Sequence, residues 1–369
     1  MTTITLNKTY FKNSVALAAK YAPKQGDFAN QITLSANDGL MNIQTTDNIE
    51  SVCVREIEIV NDNLTEEASF EPFSVDVKNL HKALKSFKSE NITLEIQEQQ
   101  VTLKNKKKKV KLPIFEEVFD ISFEAGDSKE LLISNGLSEK LSMVQHAIDT
   151  NNPRFELNGV LLSQSKGKLN IVSTDTTRLP VTSLDSVSND DFEIILPRKG
   201  AESIIKLFSG YNLSAKITEE SMFVETANVL YSVKLINGKY PEYQRIIPQS
   251  SEKEVEINKL LLKDLVESAS ILSNDIIIDV KGNTIIAKSN DGNVEVNEEL
   301  KDNSSNIKFA ITADKVLDFL NATLEEDVMI QFNGANMPIV FKTDSLQEVV
   351  MPLVLNETSE EEEVQEDVA

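Results

Sequence analysis

Asp175-Thr176-Thr177 is the first place in this sequence where side chains could do chemistry. An aspartic protease needs Asp-Thr/Ser-Gly twice, so that two carboxylates share one proton. Here the glycine is missing, and the counterpart Asp47-Asn48 reads as a turn. His81 and His146, the only histidines, stand in separate helix-like segments with no cysteine or carboxylate at metal-ligand spacing. Cys53, the only cysteine, lies in the apolar-alternating stretch 49–59 and reads as a buried strand thiol. No disulfide can form within one chain, which fits a reducing cytosol. A phosphate-binding glycine loop is absent. These residues argue against an enzyme, a cofactor and a metal.

A chain of 369 residues is too long for one ordinary core and suggests two to four domains. The opening MTTITLNKTY lacks the basic and apolar regions of a secretory signal, and no apolar run would span a bilayer. A cytoplasmic protein with no membrane partner is expected.

Three segments resemble one another: Gly39-LMNIQTTDN, Gly167-KLNIVSTDT and Gly282-NTIIAKSND. Helix-like segments recur in step with them, one set beginning near Asn7, Asn135 and Asn258, a second near Val77, Arg198 and Ala313. Apolar residues at three- and four-residue spacing give each an apolar face. Short alternating runs between them read as strands, with Gly, Asn and Asp clusters as hairpin turns. The chain therefore reads as a triplicated α+β unit, each copy antiparallel sheets with two helices, over 1–126, 127–250 and 251–355. Residues 356–369 hold seven acids and no base, too polar to form a core and expected to stay disordered.

Net charge is -22, which would ordinarily argue against a nucleic-acid partner. Yet the six helix-like segments (7–24, 77–88, 135–148, 198–208, 258–272 and 313–324) together carry +9. Basic helices in an acidic chain would, on one shared surface, confine a polyanion there.

Several segments resemble the bacterial DNA polymerase III beta subunit, the beta sliding clamp: FELNGVLL (155–162), STDTTRLPV (173–181), LPRKG (196–200), KLINGKYPEYQRIIP (234–248), ASILSND (269–275), VLDFLNA (316–322) and VVMPL (349–353). The resemblance spans the chain to about residue 355. It implies three clamp domains per chain, a head-to-tail homodimeric ring, and sequence-independent passage of duplex DNA through the hole. Twelve helices about 9–10 Å apart would leave an opening of roughly 27 Å. It also implies partners: the polymerase III catalytic subunit, the clamp loader, and other replication and repair proteins with clamp-binding motifs.

Carried over residue by residue, the resemblance puts Lys24, Lys78, Arg198 and Lys199 on the DNA side, with Asn151, Arg154 and Phe155 in a loop that touches DNA. Glu156 stands where the family can place a second aromatic. The partner-peptide groove would comprise Leu157, Thr174, Thr177, Arg178, Leu179, Pro241, Arg245, Ile246, Val349, Met351, Pro352 and Leu353. Aliphatic walls would take apolar anchors, and Arg178, Arg245 and Pro241 would form the rim. Thr176-Thr177 stand where Gly-His is common, and Lys315 where an aromatic is frequent.

The run Asn105-KKKKVK could read as a nucleic-acid patch. Placed in a strand before Leu112-Pro113, it instead corresponds to one edge of the family's subunit interface. The facing edge is 294–300, so Lys107 and Lys109 would meet Glu295, Glu298 and Glu299, with Ile271 and Leu272 as apolar anchors. Two rival readings are a β-rich interaction scaffold with no hold on DNA, and a nucleic-acid-modifying enzyme, which lacks catalytic groups.

Overall fold

Asp38-Gly39 and Lys166-Gly167 each hold two successive residues at positive φ, +50° with +78° and +52° with +76°. That is the turn whose twist matches two antiparallel strands, and it explains why the glycines recur. In the third copy Gly282 takes the first turn position instead, at +55°, so the glycine-aligned match is offset there by one residue.

These observations come from a computed structural model that describes residues 2–60, 68–119, 121–123, 125–133, 136–186, 190–301 and 305–354. The acidic tail 356–369 lies outside the described residues.

The first repeat runs β1 (Thr2–Asn7), α1 (Lys8–Ala18), β2 (Gln31–Asn37), β3 (Leu40–Thr46), β4 (Glu50–Glu58), β5 (Phe70–Asp76), α2 (Val77–Lys85), β6 (Asn91–Gln97), β7 (Gln100–Lys104) and β8 (Lys109–Pro113). The second runs β9 (Lys129–Ile133), α3 (Leu137–Val144), β10 (Gly159–Ser165), β11 (Lys168–Val172), β12 (Arg178–Asp185), β13 (Phe192–Pro197), α4 (Arg198–Leu207), β14 (Leu213–Ile217), β15 (Ser221–Glu225) and β16 (Val229–Lys234). The third runs β17 (Lys253–Asn258), α5 (Lys259–Ala269), β18 (Asp275–Lys281), β19 (Thr284–Ser289), β20 (Glu295–Glu299), β21 (Ile307–Thr312), α6 (Ala313–Ala322), β22 (Asp327–Phe332), β23 (Ile339–Lys342) and β24 (Leu346–Val350). The same order of strands and helices occurs three times, so the α+β triplication holds.

Atomic detail repeats as well. After the third strand of each copy an aspartate side chain closes a turn: Asp47 Oδ1 accepts from the N–H of Ile49 and Glu50, Asp175 Oδ1 from Thr177 and Arg178, and Asp291 Oδ1 from Asn293. The next residue has positive φ each time, Asn48 at +72°, Thr176 at +75° and Gly292 at +73°. Asp175 is thus a turn-former, and Asp47-Asn48 is its counterpart. Each copy also ends on one antiparallel bridge: Phe115 to Ser74, Ile236 to Ile195, Leu353 to Ala310.

By contacts the chain divides into two compact units, Met1–Ile133 with Asn212–Leu235, and Ser134–Tyr211 with Ile236–Ala369. The division follows the sheets rather than the repeats. The first unit holds sheets β1-β6-β7-β8 and β5-β2-β3-β4-β16-β15-β14-β9; the second holds β13-β10-β11-β12-β24-β23-β22-β17 and β20-β19-β18-β21. Both eight-stranded sheets are joined where the fifth element of one repeat (β4, β12) pairs with the last strand of the next (β16, β24). Inward residues such as Val101, Met222 and Ile339 are fully buried at equivalent positions in the three copies. Each such side chain contributes about 1.5–3 kcal/mol.

In the first unit α1 packs on α2; in the second, α4, α3, α6 and α5 form a contiguous row. Asn7, Asp76 and Asn258 cap α1, α2 and α5 with side-chain oxygens. Four helix expectations were too long by three residues or more, among them 258–272, since α5 ends at Ala269 and leaves Ile271 and Leu272 beyond it. The first helix stops at Ala18 because Pro23 follows and Tyr21 and Ala22 turn into the core, so Lys20 and Lys24 lie beyond it. Lys88 lies past the end of α2, and His146 sits in a short 3-10 turn, Gln145–Ala147, rather than in α3. No helix among the described residues is long and apolar enough to cross a membrane.

Candidate functional site

Leu157, Leu179 and Val349 are buried side chains at the bottom of an apolar cavity of about 230 Å³ in the second unit. Different elements supply them: a 3-10 turn (Phe155–Leu157), β12 and β24. Thr174, Thr176, Thr177, Arg178, Pro241, Ile246, Met351 and Arg154 complete the wall. Beneath it Leu161, Val172, Ile195, Tyr240, Tyr243 and Val340 form one packed cluster with the floor residues. The floor is therefore rigid, while Ile246 and Met351 at its lip are about half exposed, at 48% and 43%. The Tyr240 hydroxyl is buried without a hydrogen-bond partner among the described residues, and burial pushes its pKa up.

Nine of the twelve expected groove residues line this cavity; Arg245, Pro352 and Leu353 do not. Arg245 lies on the exposed turn Tyr243–Arg245 and pairs with Glu242 at 2.7 Å. Leu353 is committed to the bridge that closes the third repeat, donating its N–H to Ala310 at 2.8 Å, and Pro352 precedes it as half-buried chain. The expected arginine rim is also different. Arg178 is mostly buried and fixed from three sides: Nε to Asp175 at 2.9 Å, Nη1 to Asp318 at 2.6 Å, and Nη2 to the His146 carbonyl at 2.8 Å. Charge-assisted bonds of this kind make it part of the scaffold. Arg154, expected to face DNA, lines the cavity and pairs with Glu156 at 3.0 Å.

Residues 132–242 match the family model described as DNA polymerase III beta subunit, central domain. The beta sliding clamp of Helicobacter pylori strain J99 is 27% identical over 285 residues, 73% of this chain and 76% of that one. The crystal structure of the Helicobacter pylori beta clamp bound to a DNA ligase peptide covers 95% of this chain and 100% of its own, at 23% identity and TM-score 0.86. The DNA polymerase III subunit beta of Pseudomonas aeruginosa gives 20% identity and TM-score 0.87, covering 96% and 100%. The chain is similar to bacterial beta sliding clamps over 73% of its length, and residues 132–242 match that family's central domain.

The remaining candidates fall into two sets. Lys78 on α2, and Arg198 and Lys199 on α4, are exposed in the first turns of their helices. A helix N-terminus already carries partial positive charge, so cations there cost stability and acids are favoured. Yet α1, α2, α4 and α5 have no acid in the first turn. Lys24 is exposed in the loop after α1; Asn151 and Phe155 are exposed in the loop before β10, with Phe155 packing over Gly238, where a Cβ would meet the ring at 3.4 Å.

The second set concerns the edges. The lysine run does not form one strand: Asn105 Oδ1 accepts from the N–H of Lys107 and Lys108, turning the chain into a β7–β8 hairpin. Lys107 is therefore a turn residue, and Lys109 opens β8, the outer strand of its sheet. Glu295, Glu298 and Glu299 are exposed on β20, also an outer strand. Ile271 and Leu272 follow α5 at 72% and 65% exposure. Reading the sequence missed Thr176, and missed the buried pair His146–Glu348 behind Arg178. The one available signal was a charged residue at a core position in Leu346-Gln-Glu-Val-Val350.

Proposed function

We propose that this chain is a DNA sliding clamp that closes into a head-to-tail ring of two subunits, encircles duplex DNA and tethers the replicative polymerase. The observation that carries the ring is the repeated junction. Along the chain, β4 pairs with β16 and β12 pairs with β24, the same two strands of successive repeats. Two such strands remain as outer edges, β20 at the end of the series and β8 at its start. Applying the same pairing between chains joins β20 of one copy to β8 of the next. The ladders align Cys53, Val181 and Glu295 as equivalents, as the closing bridges align Phe115, Ile236 and Leu353. That register sets Glu295 opposite Lys109 and leaves Glu298 and Glu299 facing the turn that carries Lys106 and Lys107. Opposite charges across open edges favour this closure over pairing of like edges. The exposed Ile271 and Leu272 supply apolar area at the same seam.

The domains of this reading are 1–126, 127–250 and 251–355, supported by β9 starting at Lys129 and β17 at Lys253. Lys24, Lys78, Arg198 and Lys199 would face the duplex, with the 151–155 loop at its margin. Contacts to phosphate alone carry no sequence information, so the ring slides. The apolar cavity takes short peptides from the polymerase III catalytic subunit, the clamp loader and repair proteins, as the Helicobacter pylori clamp takes a DNA ligase peptide. Its place of work is the bacterial cytoplasm, at the nucleoid.

The test is topological. After loading onto nicked circular DNA, the protein should stay with the circle through gel filtration and leave when the circle is cut. An interaction scaffold would not be retained on the circle, and a groove- or charge-based binder would stay on linear DNA.

A further inference from the structure

Glu348 has no exposed surface, yet it is a carboxyl group on β24, next to the cavity-floor residue Val349. Its Oε2 lies 2.9 Å from His146 Nε2, and its Oε1 has no hydrogen-bond partner among the described residues. A buried polar atom left unpaired costs about 1–3 kcal/mol, so the pair calls for an explanation. The pair does not reach the cavity itself. It reaches Arg178, which does: the His146 carbonyl accepts from Arg178 Nη2 at 2.8 Å.

We propose that His146 and Glu348 are positioning residues of the peptide groove, holding one proton between them that keeps Arg178 in place. The proposal rests on the groove reading above for its functional consequence, though not for its physical basis.

The charges around the pair set the direction. Arg178 faces it from β12, Asp175 from the turn before β12, and Lys315 and Asp318 from α6; the neighbouring β23 presents Phe341. While the proton is present, the pair is either imidazolium with carboxylate or imidazole with carboxylic acid, and both are neutral overall. Arg178 is then free to satisfy Asp175, Asp318 and the His146 carbonyl. When the proton leaves for solvent, a carboxylate remains in a dry site with a neutral imidazole. The Arg178 guanidinium, whose charge acts on Glu348, is then drawn toward that carboxylate and away from Asp318. Burial raises the Glu348 pKa above the ordinary carboxylate range. A group that binds its proton more tightly in the folded protein than as a free side chain supports folding below its titration, and that support is lost as pH rises through the folded value. The groove is thus competent on the acid side and loosens on the alkaline side.

Two measurements on the full-length protein decide it. In an NMR titration, only two imidazoles are present, and His81→Gln assigns them. The Arg178 Nε resonance should show a pH-dependent step, and in Glu348→Gln, where the amide keeps the hydrogen bond but cannot titrate, that Arg178 step should vanish. An Arg178 resonance that stays flat, or a step that persists in Glu348→Gln, overturns the proposal. The second measurement is affinity for a short fluorescent peptide bearing glutamine, leucine and phenylalanine anchors. It should weaken by roughly tenfold across the titration, the effect of a one-unit pKa difference between free and liganded protein, and Glu348→Gln should bind with little pH dependence. Wild-type affinity that does not change across the midpoint also overturns the coupling. Peptide failing to bind at any pH while Arg178 still titrates would overturn the groove reading instead.

Discussion

Met351 donates its backbone N–H to the carbonyl of Thr177 at 2.9 Å. The bond extends the β12–β24 ladder, and both residues line the peptide cavity. Lys234 makes the same bond to Ile49, also at 2.9 Å, at the other junction within the chain. The equivalent residue on β8 is Pro113, which has no N–H to donate. In the proposed ring the junction between subunits would therefore lack one bond that both internal junctions have. Pro113→Ala should restore a donor and tighten the dimer by about 0.5–1.5 kcal/mol. Sedimentation of dilute protein checks it; an unchanged dissociation constant counts against the shared register.

The same register makes a second prediction about charge. Lys109→Glu and Glu295→Lys should each weaken the dimer, because each places like charges opposite one another across the open strands. The double variant should recover most of the loss. Both side chains also have partners within the chain, Glu95 for Lys109 at 3.7 Å and Lys288 for Glu295 at 3.0 Å. The recovered coupling should therefore be modest, about 0.2–1 kcal/mol. A double-mutant cycle with no coupling would place these residues apart.

On the DNA side, Lys78→Glu combined with Lys199→Glu should reduce loading and processive synthesis without lowering thermal stability. Each lost phosphate contact should reduce the slope of log affinity against log salt by about 1. Equal slopes for variant and wild type would mean that neither lysine meets phosphate.

Met351→Ala tests the cavity lip without disturbing its floor. The side chain is 43% exposed, so the fold should tolerate the loss, while a bound apolar anchor loses one wall. Affinity for an anchor peptide should drop by about 1–2 kcal/mol. Calorimetry on the variant and wild type gives the difference directly, with the melting temperature as control.

Cys53 should be chemically silent in the folded protein. Burial pushes its thiol up to about 11, with Arg55 opposing only in part. At pH 8 the reactive thiolate is then about one part in a thousand. Alkylation followed by mass spectrometry should find native protein unmodified and denatured protein fully labelled.

What the sequence determined by itself was everything with a short range. Asp38-Gly39, Lys166-Gly167 and the three aspartate turns announce hairpins because the chemistry of a turn lies within a few residues. Helix faces and strand alternation were legible for the same reason, and repetition of those signals revealed the three copies. Helix ends were less legible: Lys20 and Lys24 look helical by charge and spacing, but the core claims Tyr21 and Ala22.

Tertiary structure decided which edges meet. Alternation says which face of a strand is buried but not which strand lies beside it, so the β4–β16 and β12–β24 joins had no local signature. The groove followed from those joins, because Leu157, Leu179 and Val349 become one floor only once β24 is laid against β12. His146 and Glu348 are 202 residues apart in the chain and 2.9 Å apart in space. Nothing local marks either as a partner of the other; the sheet that spans two repeats buries the carboxylate, and burial gives the imidazole beside it its importance.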